Sequence, residues 1–406
     1  MVLQQDTELP GRKRVVIVSL GVPHERDGAS VVLFYHYAEQ IVKEGYAVLH
    51  VLLLEGPSWT DDSVEAYQRK LAAKGVFEVA TIRAAPFVHT SPFGLWLDPA
   101  AAERAHELAG RFRPDVIVSF DIVAAWLGNA MPAARRVVWL GDLIYHAMVW
   151  HARYALREDP IRIVGLLRNI VGARLWRRAY AAVLQPADNV VVSSASSVAE
   201  LARLKIVSEY VPYPWPVDPM AKICEVPALP TFMLFGTLEG LGSKSAIYLL
   251  IREIYPRLLR LWGTRGFRIV IGGRGQRADW FNRAVAGKAE FDWVGFVPDL
   301  DDVLSHCHGV LAPIDVPVGN RSRILTALAK RMLVIAHANV ALGNSALVDE
   351  VTCALAANAD EFVARMRRAV EDPAWARAIA ERGRQCYAEL FAPEKAGPLM
   401  VQRLFP

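Results

Sequence analysis

Two halves of this chain repeat one pattern, in which a short apolar run without polar alternation is followed by a helical stretch. A strand apolar on both faces must be covered on both sides, which a parallel sheet wrapped by crossover helices achieves. In the first half the runs are RVVIVSLGV (14–22), AVLHVLLL (47–54), RPDVIVSFD (113–121), RRVVWLGD (135–142) and VVVSS (190–194). Between the first two, Phe34, Tyr37, Ala38, Ile41 and Val42 recur at helical spacing, and Gly45 supplies the stop. The segment YVPYPWPVDP (210–219) carries four prolines. It cannot continue a helix or a central strand, and it is read as the linker between the halves.

The pattern restarts with TFMLFGTL (231–238) and a helix from Ser245 to Trp262. FRIVIGGRG (267–275), FDWVGFV (291–297), GVLAPI (309–314) and MLVIAHA (332–338) follow as strands, with a helix over SRILTALAKR (322–331). The tail from Ala359 is helical, with a break at Pro373. The fold class is therefore α/β, with two doubly wound domains: 1–215, 216–385, and a C-terminal helix over 386–406 that packs back on the first. The length of 406 residues suits two cores better than one.

Composition narrows the classes. With 53% hydrophobic and 22% charged residues the chain is globular. No run reaches the ~18 apolar residues of a spanning helix, and the start lacks the apolar core of a secretory signal, so a cytoplasmic location is expected. The net charge of +4 does not argue for nucleic acid. Cys224, Cys307, Cys353 and Cys386 are widely spaced and read as free thiols. No metal-ligand spacing and no nucleophile elbow occur, so neither a metal nor another cofactor is expected.

Ligands of open parallel sheets bind beyond the carboxyl ends of the strands. In the second half the polar residues there are Gly236, Thr237, Lys244, Gly273, Arg274, Gly275, Asp315, Gly319, Asn320, Arg321 and Arg323. The most informative stretch is APIDVPVGNRSRILTALAKRMLVIA (312–336), where a strand, a Pro/Gly loop and a helix start bring two arginines to a place that favours anions. The local sequence leaves two readings level: a diphosphate grip, or solvated first-turn arginines. Lys244 after GTLEGLGSK is a second candidate cation or an ordinary surface turn. In the first half, Gly28, Ala29 and Ser30 open a helix, and Asp121, Asp142 and His146 follow strands. The latter three are proton-transfer or acceptor-binding candidates, or caps and turns. The stretch from His151 to Leu184 is rich in arginine and aromatics. Its apolar residues between 161 and 172 do not segregate around the helix, which favours a solvated surface helix over one touching anionic lipid.

Five stretches, in order, resemble the retaining GT-B glycosyltransferases of the "group 1" or family-four class. They are the GAS loop (28–30) with EGYAVLHV (44–51); PADNVVVSSAS (186–196); FGTL (235–238) followed by Lys244; VGFVPDLDDVLSHCHGVLAPI (294–314); and GNRSRILTALA (319–329) with MLVIAHA. The resemblance implies two Rossmann-like domains facing across a cleft. The nucleotide-sugar donor would sit in the C-terminal domain and the acceptor in the N-terminal one. It places Arg323 and Lys244 as diphosphate cations. It also puts Thr326 where the family carries a ribose-binding glutamate, Val318 where a second glutamate is common, and Thr237 where an arginine is usual.

The function implied is transfer of a sugar from a UDP-, GDP- or similar donor to a hydroxyl of a glycan or lipid-linked acceptor. The setting would be cell-surface polysaccharide or glycolipid synthesis, with peripheral contact at the inner face of the membrane. Two alternatives are a nucleotide-sugar 2-epimerase and a catalytically degenerate scaffold of the same fold.

Overall fold

The computed structural model describes residues 11–405 except 27, 29, 55–58, 84–86, 92–93, 159–162, 221–226, 239 and 275–278. The first lobe runs β1 (Arg14–Leu20), α1 (Ser30–Lys43), β2 (Ala47–Leu53), α2 (Asp61–Ala72), β3 (Phe77–Ile82), β4 (Phe87–Ser91), β5 (Gly94–Leu97), α3 (Pro99–Phe112), β6 (Val116–Phe120) and α4 (Ile122–Asn129). It continues with β7 (Arg135–Leu140), α5 (Ile144–Glu158), α6 (Ile163–Leu184), β8 (Asn189–Val192), α7 (Ala195–Ala202) and β9 (Glu209–Tyr210). Seven strands form one parallel sheet in the order β3-β2-β1-β6-β7-β8-β9, and β4 and β5 make a separate antiparallel pair.

The second lobe runs β10 (Thr231–Phe235), α8 (Leu241–Leu249), a π turn (Leu250–Ile254), α9 (Tyr255–Trp262), β11 (Arg268–Gly272), α10 (Asp279–Val285), β12 (Phe291–Gly295), α11 (Leu300–Leu304), β13 (Gly309–Ala312), α12 (Ser322–Ala329), β14 (Val334–His337) and β15 (Ala354–Ala356). Its six strands are parallel in the order β12-β11-β10-β13-β14-β15. The helices α13 (Ala359–Glu371), α14 (Pro373–Leu390) and α15 (Pro393–Val401) close the chain. Both lobes are thus doubly wound sheets, as the apolar runs predict.

The physical reasons are local and consistent. In β2 all seven residues are buried, and Ile17 of β1 pairs with His50 of β2 on one side and Val118 of β6 on the other. His50 is a buried polar exception satisfied on both ring nitrogens, by Ser19 Oγ and Tyr67 Oη, each at 2.8 Å. The strands end earlier than the apolar runs because those runs continue into the buried starts of the loops; Pro313 after β13, for example, lacks an N–H for the ladder.

The helix read from Ser245 begins at Leu241 and passes through a π turn at Leu250–Ile254. Pro256 sits one turn on and cannot donate to the preceding helix, which accounts for the widened turn. The break between α13 and α14 falls at Pro373, where Asp372 accepts from Trp375 N (3.0 Å) as N-cap.

The proline-rich segment is held rather than loose. Trp215 N donates to Phe391 O (2.8 Å), Tyr387 Oη donates to Trp215 O (2.5 Å), and Tyr213 is buried against Phe391. The chain's end lies on the first lobe: Phe405 stacks on Tyr46 with centroids 5.4 Å apart, and Arg403 Nε pairs with Glu209 (2.7 Å). Cys307 and Cys353 are buried thiols.

Candidate functional site

In a doubly wound sheet the crevice opens where the strand order reverses. In the second lobe that point lies between β10 and β13. The loop after β10 leads to the start of α8, and the loop after β13 leads to the start of α12. Neither helix start carries a side-chain cap, and the first backbone N–H groups of a helix are a favourable place for an anion.

Two guanidinium groups converge there. Arg323 Nη2 donates to Ser243 Oγ (2.8 Å), and Ser243 Oγ donates to Thr237 O (2.6 Å). Gly236 has φ 132°, and a Cβ on it would stand 2.7 Å from Arg323 Cζ, so only glycine leaves room for this side chain. Arg321 lies over Gly242, where a Cβ would be 3.4 Å from its Cζ. Among the described residues, Arg323 Nη1, Arg321 Nη2 and Asn320 Nδ2 are buried without a hydrogen-bond partner. Burial first, and the adjacent Arg321 charge second, push the Arg323 pKa down to about 10. Two like charges with buried, unused donors are unfavourable in isolation and suit a multivalent anion.

The first lobe presents Asp142 to this cradle. Its Oδ2 is 3.8 Å from Arg321 Nη1, and its carboxylate presses on Gly319, where a Cβ would fall 1.9 Å from Oδ1. Gly319 has φ 76°, a second reason for glycine. Asp121 caps α4 through Ile122 N (3.1 Å) with φ 78°, an unusual backbone for a non-glycine residue. Burial, assisted by the Asp142 charge, raises its pKa to about 6.

A second focus is Asp315. Its carboxylate accepts from Tyr154 Oη of α5 and from Ser245 Oγ of α8 (3.0 Å), so it ties the lobes together. Asn339 Nδ2 holds its backbone oxygen at 2.6 Å. Asn320 Oδ1 accepts from the buried Asn344 (3.3 Å).

Other candidates lie elsewhere. Lys244 is on α8 but faces Trp280, with Nζ 5.9 Å from a ring centroid, and its charge adds to the burial that lowers the His151 pKa. Arg274 is exposed and lies 4.5 Å over the Phe296 ring. Thr237 is exposed and enters the cluster only through its carbonyl. Thr326 Oγ1 accepts from Trp215 Nε1 (2.9 Å), so this hydroxyl braces the linker. Val318 is 2% exposed and part of the core.

His146 lies beside Trp150, whose Nε1 donates to its Nε2 (3.3 Å), and burial lowers its pKa. Gly28 (φ 108°) and Ser30 are exposed at the start of α1, and Ala29 falls outside the described residues.

Sequence reasoning missed Ser243, Ser245, Tyr154 and Asn344. The two serines flank Lys244 at a helix start and were open to inspection. Tyr154 meets Asp315 across 161 positions and carries no local signal.

Residues 230–372 match the family model of glycosyl transferases group 1. No curated protein matches the sequence. Solved structures match over nearly the whole chain at low identity. Sucrose-phosphate synthase from Thermosynechococcus elongatus has 16% identity and TM-score 0.62, covering 97% of this chain and 98% of that one. HepE from Anabaena in complex with UDP and glucose has 12% identity and TM-score 0.65, covering 97% and 99%. TarM has 8% identity and TM-score 0.68, covering 97% and 99%. The stretch that holds the arginine cradle is thus similar to the group 1 glycosyl transferases, over about a third of the chain, and the chain as a whole carries the GT-B fold.

Proposed function

We propose that this protein transfers a glycosyl group from a nucleotide-diphosphate sugar, UDP- or GDP-linked, to a hydroxyl of a glycan or lipid-linked acceptor. The observation that carries the reading is the pair Arg321 and Arg323, whose buried and unpaired N–H groups sit between two uncapped helix starts at the switch point. A departing nucleoside diphosphate would accept from those donors, and stabilising the charge that develops on it is where the rate would come from. The two guanidinium groups take the place that a divalent cation fills in other schemes. The crystal structure of HepE with UDP-glucose supports a UDP-linked donor for this cradle.

Across the cleft, Asp142 is the acceptor-side carboxylate that touches the cradle. It is placed to hold an acceptor hydroxyl or take its proton, with Asp121 and His146 as further acceptor-side groups. Retention of the anomeric configuration is part of the proposal and rests on the family resemblance alone. Thr326, turned to Trp215, and the buried Val318 favour a second reading, a degenerate scaffold that binds no nucleotide.

Calorimetry with UDP, GDP and their sugar conjugates separates the two. Binding of at least one, followed by release of sugar to an acceptor, is the expected result. No binding to any member of the panel rejects the transferase reading. Conversion of the donor without acceptor would instead identify an epimerase.

A further inference from the structure

The helix α6 carries a surface that the cleft chemistry does not use. Leu167, Ile170, Val171, Arg174, Arg177 and Arg178 follow one another at i, i+3, i+4, i+7, i+10 and i+11, which puts them on one face. All six are exposed; for the apolar three the exposure is 57%, 37% and 47%. The apolar residues do not segregate around this helix because the separation runs along its axis. The apolar side chains occupy one turn and the arginines the next two, their centres roughly 10 Å apart. From Ile163 to Leu184 there are four arginines and no acidic residue. Arg174, Arg177 and Arg178 make no ion pair among the described residues.

We propose that this stripe is a docking surface for an anionic lipid bilayer. Three adjacent aliphatic side chains in water are unfavourable, and burying them in the acyl boundary removes that cost. Guanidinium groups one and two turns further on would then stand at headgroup level, where each unpaired arginine meets lipid phosphate. A nucleic acid would satisfy the arginines but leave the aliphatic turn in water, so the combination fits a bilayer.

A groove adjoins the stripe. It encloses about 440 Å³ between α5, α6 and α7, and among its lining residues are Ile170, Arg174, Arg177, Trp150 and His146. The groove thus adjoins the stripe at Ile170, Arg174 and Arg177 and shares α5 with Tyr154, which reaches Asp315 of the second lobe. The inference does not rest on the donor reading, since lipid contact and nucleotide binding are measured separately.

The test is co-sedimentation of the full chain with phosphatidylcholine vesicles, with and without about 30 mol% phosphatidylglycerol. The wild type is expected to pellet with the anionic vesicles and not with the neutral ones. The triple variant Arg174→Gln/Arg177→Gln/Arg178→Gln should lower partitioning roughly 100-fold at low salt, at about fivefold per arginine. The double variant Leu167→Glu/Val171→Glu should remove the part of the binding that survives high salt, where screening has weakened the charges. Melting curves and nucleotide binding, read on the same samples, check that both variants fold. Wild type remaining in the supernatant with anionic vesicles would overturn the proposal. So would loss of binding in the arginine variant with none in the Leu167/Val171 variant, since an acidic macromolecule would then fit as well as a membrane.

Discussion

Replacing Arg323 by methionine separates a binding arginine from a structural one. Holding this guanidinium charged in the cradle lowers its pKa from 12.5 to about 10, which corresponds to a cost of up to about 3 kcal/mol in the empty protein. Methionine removes that cost and also removes the hydrogen bond to Ser243 Oγ, worth about 1.5–3 kcal/mol for a charged donor. The two nearly offset, so the stability of the nucleotide-free protein should change by less than about 1.5 kcal/mol in either direction. Nucleotide affinity should respond very differently. Losing a charge-assisted contact to a diphosphate of about 1.5–3 kcal/mol weakens binding roughly 10- to 150-fold. Urea denaturation with and without nucleotide, alongside calorimetry, reads both quantities. A variant that loses 3 kcal/mol or more of unliganded stability, as expected for a broken buried pair (~3–5 kcal/mol), while binding nucleotide as tightly as wild type, would show that Arg323 holds the fold and not the ligand.

Two further predictions concern the lobe interface and the first lobe. Gly319→Ala would bring a Cβ within 1.9 Å of Asp142 Oδ1 at a φ of 76°, and should cost about 1–3 kcal/mol by chemical denaturation; adding Asp142→Gly should recover at least half, and no recovery would refute the contact. Asp121 has a folded pKa of about 6, above its ordinary 3.8, so its contribution to stability is complete below 3.8 and is lost as pH rises through about 6. Asp121→Asn, which keeps the acceptor for Ile122 N, should therefore stabilise the protein by up to about 3 kcal/mol at pH 8 and hardly at all at pH 4; a difference independent of pH would contradict the assignment.

Residue order alone determined the architecture. Apolar runs covered on both faces, crossover helices and a proline-rich divide leave little besides two parallel sheets, because each strand's burial is written in its own few residues. Helix capping is equally local, as Asp372 and Pro373 show. The placement of Arg321 and Arg323 at a helix start was legible too, since a helix start after a buried strand is a short-range feature.

What lay beyond reach was everything decided by direction and by partners distant in the chain. Lys244 and Arg321 were both candidate cations, yet one faces Trp280 and the other Gly242 and Asp142. Thr326 occupied the expected position, yet its hydroxyl is taken by Trp215 from 111 residues away. Asp315 is claimed by Tyr154 of the opposite lobe. Only the packed molecule settles such choices, because a side chain's orientation and its protonation follow from neighbours that the chain brings together after folding.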